Sequence, residues 1–209
     1  MADKVDFTIN SNMHSAFLRE VDRLQKAVET VDLSDSALAA GLARRYVFFS
    51  HTLHAHHEGE DTFLWPLALA KATPQEAVIL NAMAAEHEAL ATALTGLDSQ
   101  FAQLSADSDV ARMSGGLDRL RAILTGHCAH EERDAVPVVQ KYVTREDLKS
   151  FMAFTREQPD STLVLAWVCD GATPAQIDST WAMLPGFVRV FVKPMSTRKY
   201  AKFTAECGV

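Results

Sequence analysis

Over the first two-thirds of this chain apolar residues recur in alternating steps of three and four, the pattern of helices that each bury one face. One run reads Leu80, Met83, His87, Leu90, Leu94, Leu97, Phe101 and Leu104; a second reads Met113, Leu117, Leu120, Leu124, His127 and Glu131. A third reads Tyr46, Phe49, Leu53, His56, Glu60 and Phe63, and a fourth Asn10, His14, Phe17, Val21, Leu24, Val28 and Val31. Short polar breaks separate them: DLSDS at 32–36, KATPQ at 71–75 and SADSD at 105–109. The pattern predicts helices over about residues 7–30, 36–70, 74–104 and 109–135, with Pro74 suited to a first helical position. Links this short leave neighbours antiparallel, so the expected fold is all-α, an up-down-up-down four-helix bundle. After Pro137 the texture shifts to shorter amphipathic pieces punctuated by Pro159, Gly171, Pro174, Pro185, Gly186 and Pro194. These are expected to form short helices packed outside the bundle, giving a bundle over residues 1–140 and a helical extension over 141–209.

Each apolar seam carries one histidine, and two carry a glutamate as well. A buried histidine without a partner is costly, so one on each of four seams asks for a common cause. Counting from the breaks supplies it. His14 and His56 lie 20 and 22 residues from a turn centred near Ser34, and His87 and His127 each lie 20 from one near Asp107. Across the turn near Thr73, His56 and Glu60 lie 17 and 13 residues before and His87 lies 14 after. At about 1.5 Å per residue these levels agree to within roughly one turn. Six residues, His14, His56, Glu60, His87, His127 and Glu131, are thereby predicted to meet in one slice of the interior.

His56–Glu60 and His127–Glu131 are both i,i+4 pairs and stack on one helix face. They also form an internal repeat: HHEGEDTFLWP (56–66) and HCAHEERDAVP (127–137) share H-x3-E-[DE]-x4-P. Imidazoles with inward carboxylates suit iron, manganese or zinc, and a carboxylate from each of two helices can bridge two metals. No thiolate shares the slice, which argues against a structural zinc. Of the histidines in HTLHAHHEGED, only His56 falls on the seam; His51, His54 and His57 are expected to project elsewhere, and His130 to sit at the rim or behind the ligands. Glu58, Asp61, Glu86, Glu88 and Glu132 flank the seam as solvated groups or as partners of the ligands' outer nitrogens, with a direct metal role as the alternative.

Composition narrows the remainder. Hydrophobic residues make up 48% of 209 residues, enough for a sizeable core, and the formal charge of −7 argues against nucleic acid as partner. The longest apolar runs, such as LVLAWVC at 163–169, are too short to span a bilayer, and MADKVDFTIN lacks the apolar region of a signal peptide, so a cytoplasmic location is expected. Cys128, Cys169 and Cys207 show no CxxC spacing and indicate neither a disulfide framework nor a cysteine zinc site. Cys128 reads as a small packing residue, with redox activity as the alternative. The basic stretch RVFVKPMSTRKYAKF (189–203) reads as a solvated face with anchoring aromatics, or else as a contact for a partner protein or anionic surface.

The repeated H-x3-E-[DE]-x4-P, the lone histidine in NMHSAF and the histidine in AEHEAL resemble the hemerythrin-like, or HHE cation-binding, domain over about residues 7–140. The tail, with WVCDGATP and LPGF, is similar to the C-terminal extension of some actinobacterial members. The resemblance implies a four-helix bundle with a non-haem centre of two irons bridged by two carboxylates and an oxo or hydroxo group, manganese or zinc being second choices. It implies His14, His56, His87 and His127 as histidine ligands and Glu60 and Glu131 as bridges. Oxygen-carrying members have a second histidine four residues before the His87 position, where this chain has Met83. They also place an aspartate five residues after the last histidine, where this chain has Glu131 at four. Fewer protein nitrogens are therefore expected, which weakens the oxygen-carrier reading. Three functions remain: a module that binds or senses dioxygen, nitric oxide or iron; a redox enzyme acting on peroxide in oxidative-stress defence; or a metal-stapled bundle whose tail binds a partner. No catalytic residue is assigned from sequence.

Overall fold

The computed structural model describes residues 5–159 and 161–208, and among them the regular structure is entirely helical. Four long segments come first: α1 (Thr8–Thr30), α2 (Ser36–Gly59), α4 (Pro74–Phe101) and α5 (Val110–His130). Their starts are set by side chains that accept from orphan backbone N–H groups. Asp35 accepts from Ala37 and Leu38, Asp109 from Arg112, and Thr73 forms a capping box with Glu76 ahead of Pro74. In packing, α1 lies against α2 and α5, and α4 lies against α2 and α5, so the four contacts close a ring.

Two of these helices pass through a wider turn, the first ending where the sequence pattern suggested and the second running on beyond it. A π-helical segment, Glu60–Leu64, joins α2 to α3 (Trp65–Leu69), and a second, Glu131–Ala135, joins α5 to α6 (Val136–Tyr142). Each opens on the glutamate of the repeat and is followed by its proline, Pro66 or Pro137. A proline inside an α-helix has no N–H to donate and clashes with the carbonyl four residues back; the wider π turn relieves that clash without ending the helix. The predicted end at 135 is thus overrun to Tyr142, across the expected boundary at residue 140, while α4 stops at Phe101, short of the predicted Leu104.

The remaining elements are α7 (Leu148–Glu157), α8 (Ser161–Cys169), α9 (Pro174–Ala182) and α10 (Gly186–Cys207). The last is not short: it runs 22 residues with Pro194 inside it. Helices α8 and α9 pack on α1, α10 on α2 and α8, and α7 on α2 and the first π segment. Gly41 lets α10 close in, because a Cβ there would collide with the backbone carbonyl of Cys207. Trp167, buried to 1% exposure, joins the main core with Phe17 and Phe48. That core is separated from a second one, built on Leu64, Trp65, Leu80, Met83 and Val139. No helix among the described residues is long and apolar enough to cross a membrane.

Candidate metal centre

Charged and polar side chains occupy the interior near the junction of the two cores. His14 comes from α1, His56 and His57 from α2, His87 from α4 and His127 from α5, while Glu60 and Glu131 are the first residues of the two π segments. They fall into two groups, His57–His87–His127 and His14–His56–Glu60–Glu131, each with candidate ligand atoms within 4.8 Å of one another. The six residues expected from the seams are therefore brought together, and His57 is brought in with them.

His57 corrects the sequence reading. It was expected to project away; it is buried, and its ring stacks on His87 at 4.1 Å between centroids and meets His127 edge-on at 5.2 Å. Consecutive helical residues are about 100° apart, and the buried arc of such a helix is at least that wide, so His56 and His57 can both face inward. Treating the seam as a single line of residues missed this. The doubled histidine of HHEGED was the signal that could have found it. With His57 the layer holds five imidazoles, so the expected shortfall in nitrogens does not arise, although Met83, where oxygen carriers have a histidine, is buried in the neighbouring core. His51 and His54 are exposed, as expected.

The carboxylates tie the two groups together. One oxygen of Glu60 lies 3.3 Å from His56 Nε2 and the other 3.5 Å from His87 Nε2. Glu131 Oε2 lies 3.3 Å from His14 Nε2 and 3.4 Å from His127 Nε2. Its other oxygen accepts a 2.8 Å bond from the Asn10 amide, which fixes the orientation of the carboxylate. Behind the layer, the Nδ1 atoms find acidic partners: His14 with Glu132 at 2.8 Å, His87 with Asp61 at 3.0 Å and His127 with Glu86 at 2.9 Å. Glu86 also holds His130 Nδ1 at 2.6 Å, placing His130 behind the layer. Such outer bonds set the tautomer and turn Nε2 inward. Glu58 and Glu88 are exposed and do not take part.

His14 Nε2 and His56 Nε2 meet each other at 3.3 Å, but the other inward-facing atoms are left without hydrogen bonds. Buried and unsatisfied are Nε2 of His57, His87 and His127, both oxygens of Glu60, and Oε2 of Glu131. Unpaired buried polar atoms cost about 1–3 kcal/mol each, and here they converge on one place. A cation bonded to N and O donors would satisfy all of them, so these residues fit a metal. Burial, reinforced by His14, pushes the His56 pKa down to about 3, and burial with His87 pushes His57 down as well. Both are therefore held as neutral imidazoles with a lone pair to give. Burial, and then the neighbouring Glu131, pushes Glu60 up. Burial opposes charge on His14 too, yet the bonds its ring donates to Cys128, Glu131 and Glu132 outweigh it and raise its pKa. Burial likewise disfavours ionised Glu131, but His127 and His14 hold its pKa well below the usual carboxylate range.

Among comparisons with known proteins, one family model matches: the hemerythrin HHE cation-binding domain, over residues 10–139. Neither a curated protein nor a solved structure matches the chain.

Proposed function

Because the chain belongs to the hemerythrin HHE cation-binding family through residues 10–139, we propose that it is a non-haem di-iron protein that binds or senses a small oxidising ligand, dioxygen or nitric oxide. In this reading the four long helices form an antiparallel up-down-up-down bundle, with residues 141–209 docked on it as a helical extension. His14 and His56 would hold one iron and His57, His87 and His127 the other, with Glu60 and Glu131 as the carboxylates that would be shared between them. The observation that carries the reading is that each carboxylate approaches one imidazole of each group while its inward oxygens lack any other partner. Nitrogen and oxygen donors without thiolate suit iron, with manganese and zinc as competitors. The residues of the layer are buried except His56, whose side chain is still only 7% exposed, so a ligand of two or three atoms fits the site better than an organic substrate.

When bound, iron would supply reversible ligand binding and one-electron redox chemistry. The protein's part is to hold imidazoles neutral, to orient them from Asp61, Glu86 and Glu132, and to keep bulk water out. A second reading, turnover of peroxide, is favoured by a continuous line of aromatic rings leading away from His56.

The test is metal analysis of protein made under iron-replete conditions, with optical spectra before and after azide, nitric oxide and peroxide. Two irons per chain and a spectrum that responds to azide or nitric oxide without consuming peroxide support the binding reading. Peroxide consumption by the same sample moves the assignment to the enzyme. Zinc alone, or no metal in any preparation, overturns both.

A further inference from the structure

Phe17 lies against His56 with ring centroids 5.3 Å apart, and its other side meets Trp167, again at 5.3 Å. From Trp167 the rings continue through Phe48 at 5.6 Å and Phe203 at 5.0 Å to Tyr200 at 6.3 Å. A chain of hydrogen bonds parallels them. Trp167 Nε1 donates to Glu20 Oε2 at 3.0 Å, and Arg45 Nη2 donates to the same oxygen at 3.1 Å and reaches the Tyr200 hydroxyl at 3.5 Å. Tyr200 in turn donates to Asp170 at 2.7 Å. Trp167 and Glu20 are each 1% exposed, whereas the Asp170 side chain is 40% exposed.

We propose that Trp167 and Tyr200 form an electron relay between the metal centre and the surface of the C-terminal extension, which admits electrons from small one-electron donors such as enediols or phenols. The proposal rests on the peroxide reading of the site given above.

The chemistry of the two side chains supports it. Indole and phenol are the aromatic side chains that give up an electron readily, and once oxidised each releases its N–H or O–H proton. Trp167 and Tyr200 each have a carboxylate already accepting that proton's hydrogen bond. Phenylalanine does not carry charge, and Phe17, Phe48 and Phe203 serve as close-packed spacers. Trp65 makes the contrast. It lies 6.4 Å from His87, as near the layer as a relay would need, yet its buried Nε1 has no acceptor.

Each transit balances. Trp167 gives one electron through Phe17 and His56 toward the peroxide-oxidised centre, and its N–H proton shifts to Glu20. Tyr200 then reduces the indole, which recovers its proton from Glu20, while the phenol proton passes to Asp170. A donor DH restores Tyr200 by giving up one electron and one proton. Two transits deliver two electrons and leave two protons, which together reduce hydrogen peroxide: H2O2 + 2 DH gives 2 H2O + 2 D•. A network that served only to fasten the extension to the helices beneath would need none of this redox ordering.

The experiment is freeze-quench electron paramagnetic resonance of the iron-loaded full chain after peroxide, with iron content read on the same sample. A tyrosyl radical is expected in the natural protein. Tyr200→Phe should replace it with a tryptophan radical, and Trp167→Phe should lose both with its iron unchanged. Iron uptake without any organic radical overturns the relay and leaves the metal reading intact. So does a radical that survives Trp167→Phe, or one that disappears instead in Trp65→Phe or Tyr46→Phe. A chain that takes up no iron overturns the metal reading itself, and the relay with it.

Discussion

Metal loading should raise the melting temperature by an amount that counts the sites. Each metal that binds the folded chain alone stabilises it by RT ln(1 + [L]/Kd), about 2.7 kcal/mol at one hundred times Kd. For a chain of 209 residues, one kcal/mol moves the midpoint by about 2–4 °C. One bound metal therefore gives about 5–11 °C, and two independent metals about 11–22 °C. Since His57, His87 and His127 form one group and His14, His56, Glu60 and Glu131 the other, single substitutions should divide the shift. His57→Ala removes a donor from the first group alone and should keep roughly half of it, with one metal per chain. Glu60→Ala should lose nearly all of it, because its two oxygens reach His56 and His87 separately. His54→Ala, an exposed position, should keep all of it. The assay is scanning calorimetry of each protein with and without iron, beside metal analysis; taking the difference within each variant cancels the cavity that the substitution leaves. A His57→Ala protein with two metals and the full shift would show that His57 is not a ligand.

Glu86→Ala removes the acidic partner of both His127 and His130, and metal affinity measured by chelator competition should fall about 10–100-fold with the fold intact. In the metal-free chain the His56 pKa lies at about 3 against an ordinary 6.5, so below 6.5 the unfolded chain takes up the proton first. Its stabilising share is thus whole above 6.5 and is lost as pH falls toward 3; between pH 7 and 5 urea unfolding should show a loss about 2 kcal/mol larger than in His56→Asn. His14, whose pKa is shifted the other way, is present in both proteins and largely cancels. Gly41→Ala should destabilise by about 1–3 kcal/mol because its Cβ has nowhere to go against Cys207. Gly96→Ala, exposed on α4 with open space around it, should stabilise by about 0.5–1 kcal/mol, and the opposite signs are read from denaturant midpoints.

The level of the polar layer was legible because it needs only residue counts between turns, and those survive errors of a few residues at helix ends. His14, His56, Glu60, His87, His127 and Glu131 were found that way. The π segments were not legible, for a definite reason: a seam drawn with steps of three and four runs straight through an inserted residue, as the one through Glu60 to Phe63 does. Proline six residues after the glutamate marked the place, but read as a helix stop at Pro137 it concealed α6. Trp167 could not be placed either, since LVLAWVC is apolar all round and carries no period to say which side faces the bundle; its neighbours Phe17, Phe48 and Glu20 come from elements more than a hundred residues away.

His57 shows what matching positions against a family leaves out. At the one place where the oxygen carriers have an extra histidine this chain has Met83, and that comparison alone predicts a layer poorer in nitrogen. The interior, however, is indifferent to which helix a donor comes from. His57 reaches the same layer from α2, stacked on His87, while Met83 fills the apolar core alongside. The number of donors around the layer is a property of the three-dimensional slice, and only a reading of every side chain that enters the slice recovers it. The same reasoning makes the outer carboxylates informative. Asp61 and Glu132 each directly follow a glutamate of the layer, so the acidic pair of the repeat places one carboxylate in the layer and turns the next to hold a histidine on a neighbouring helix. One short motif, used twice, thereby provides a carboxylate of the layer, the orienting partner and the π turn that carries both.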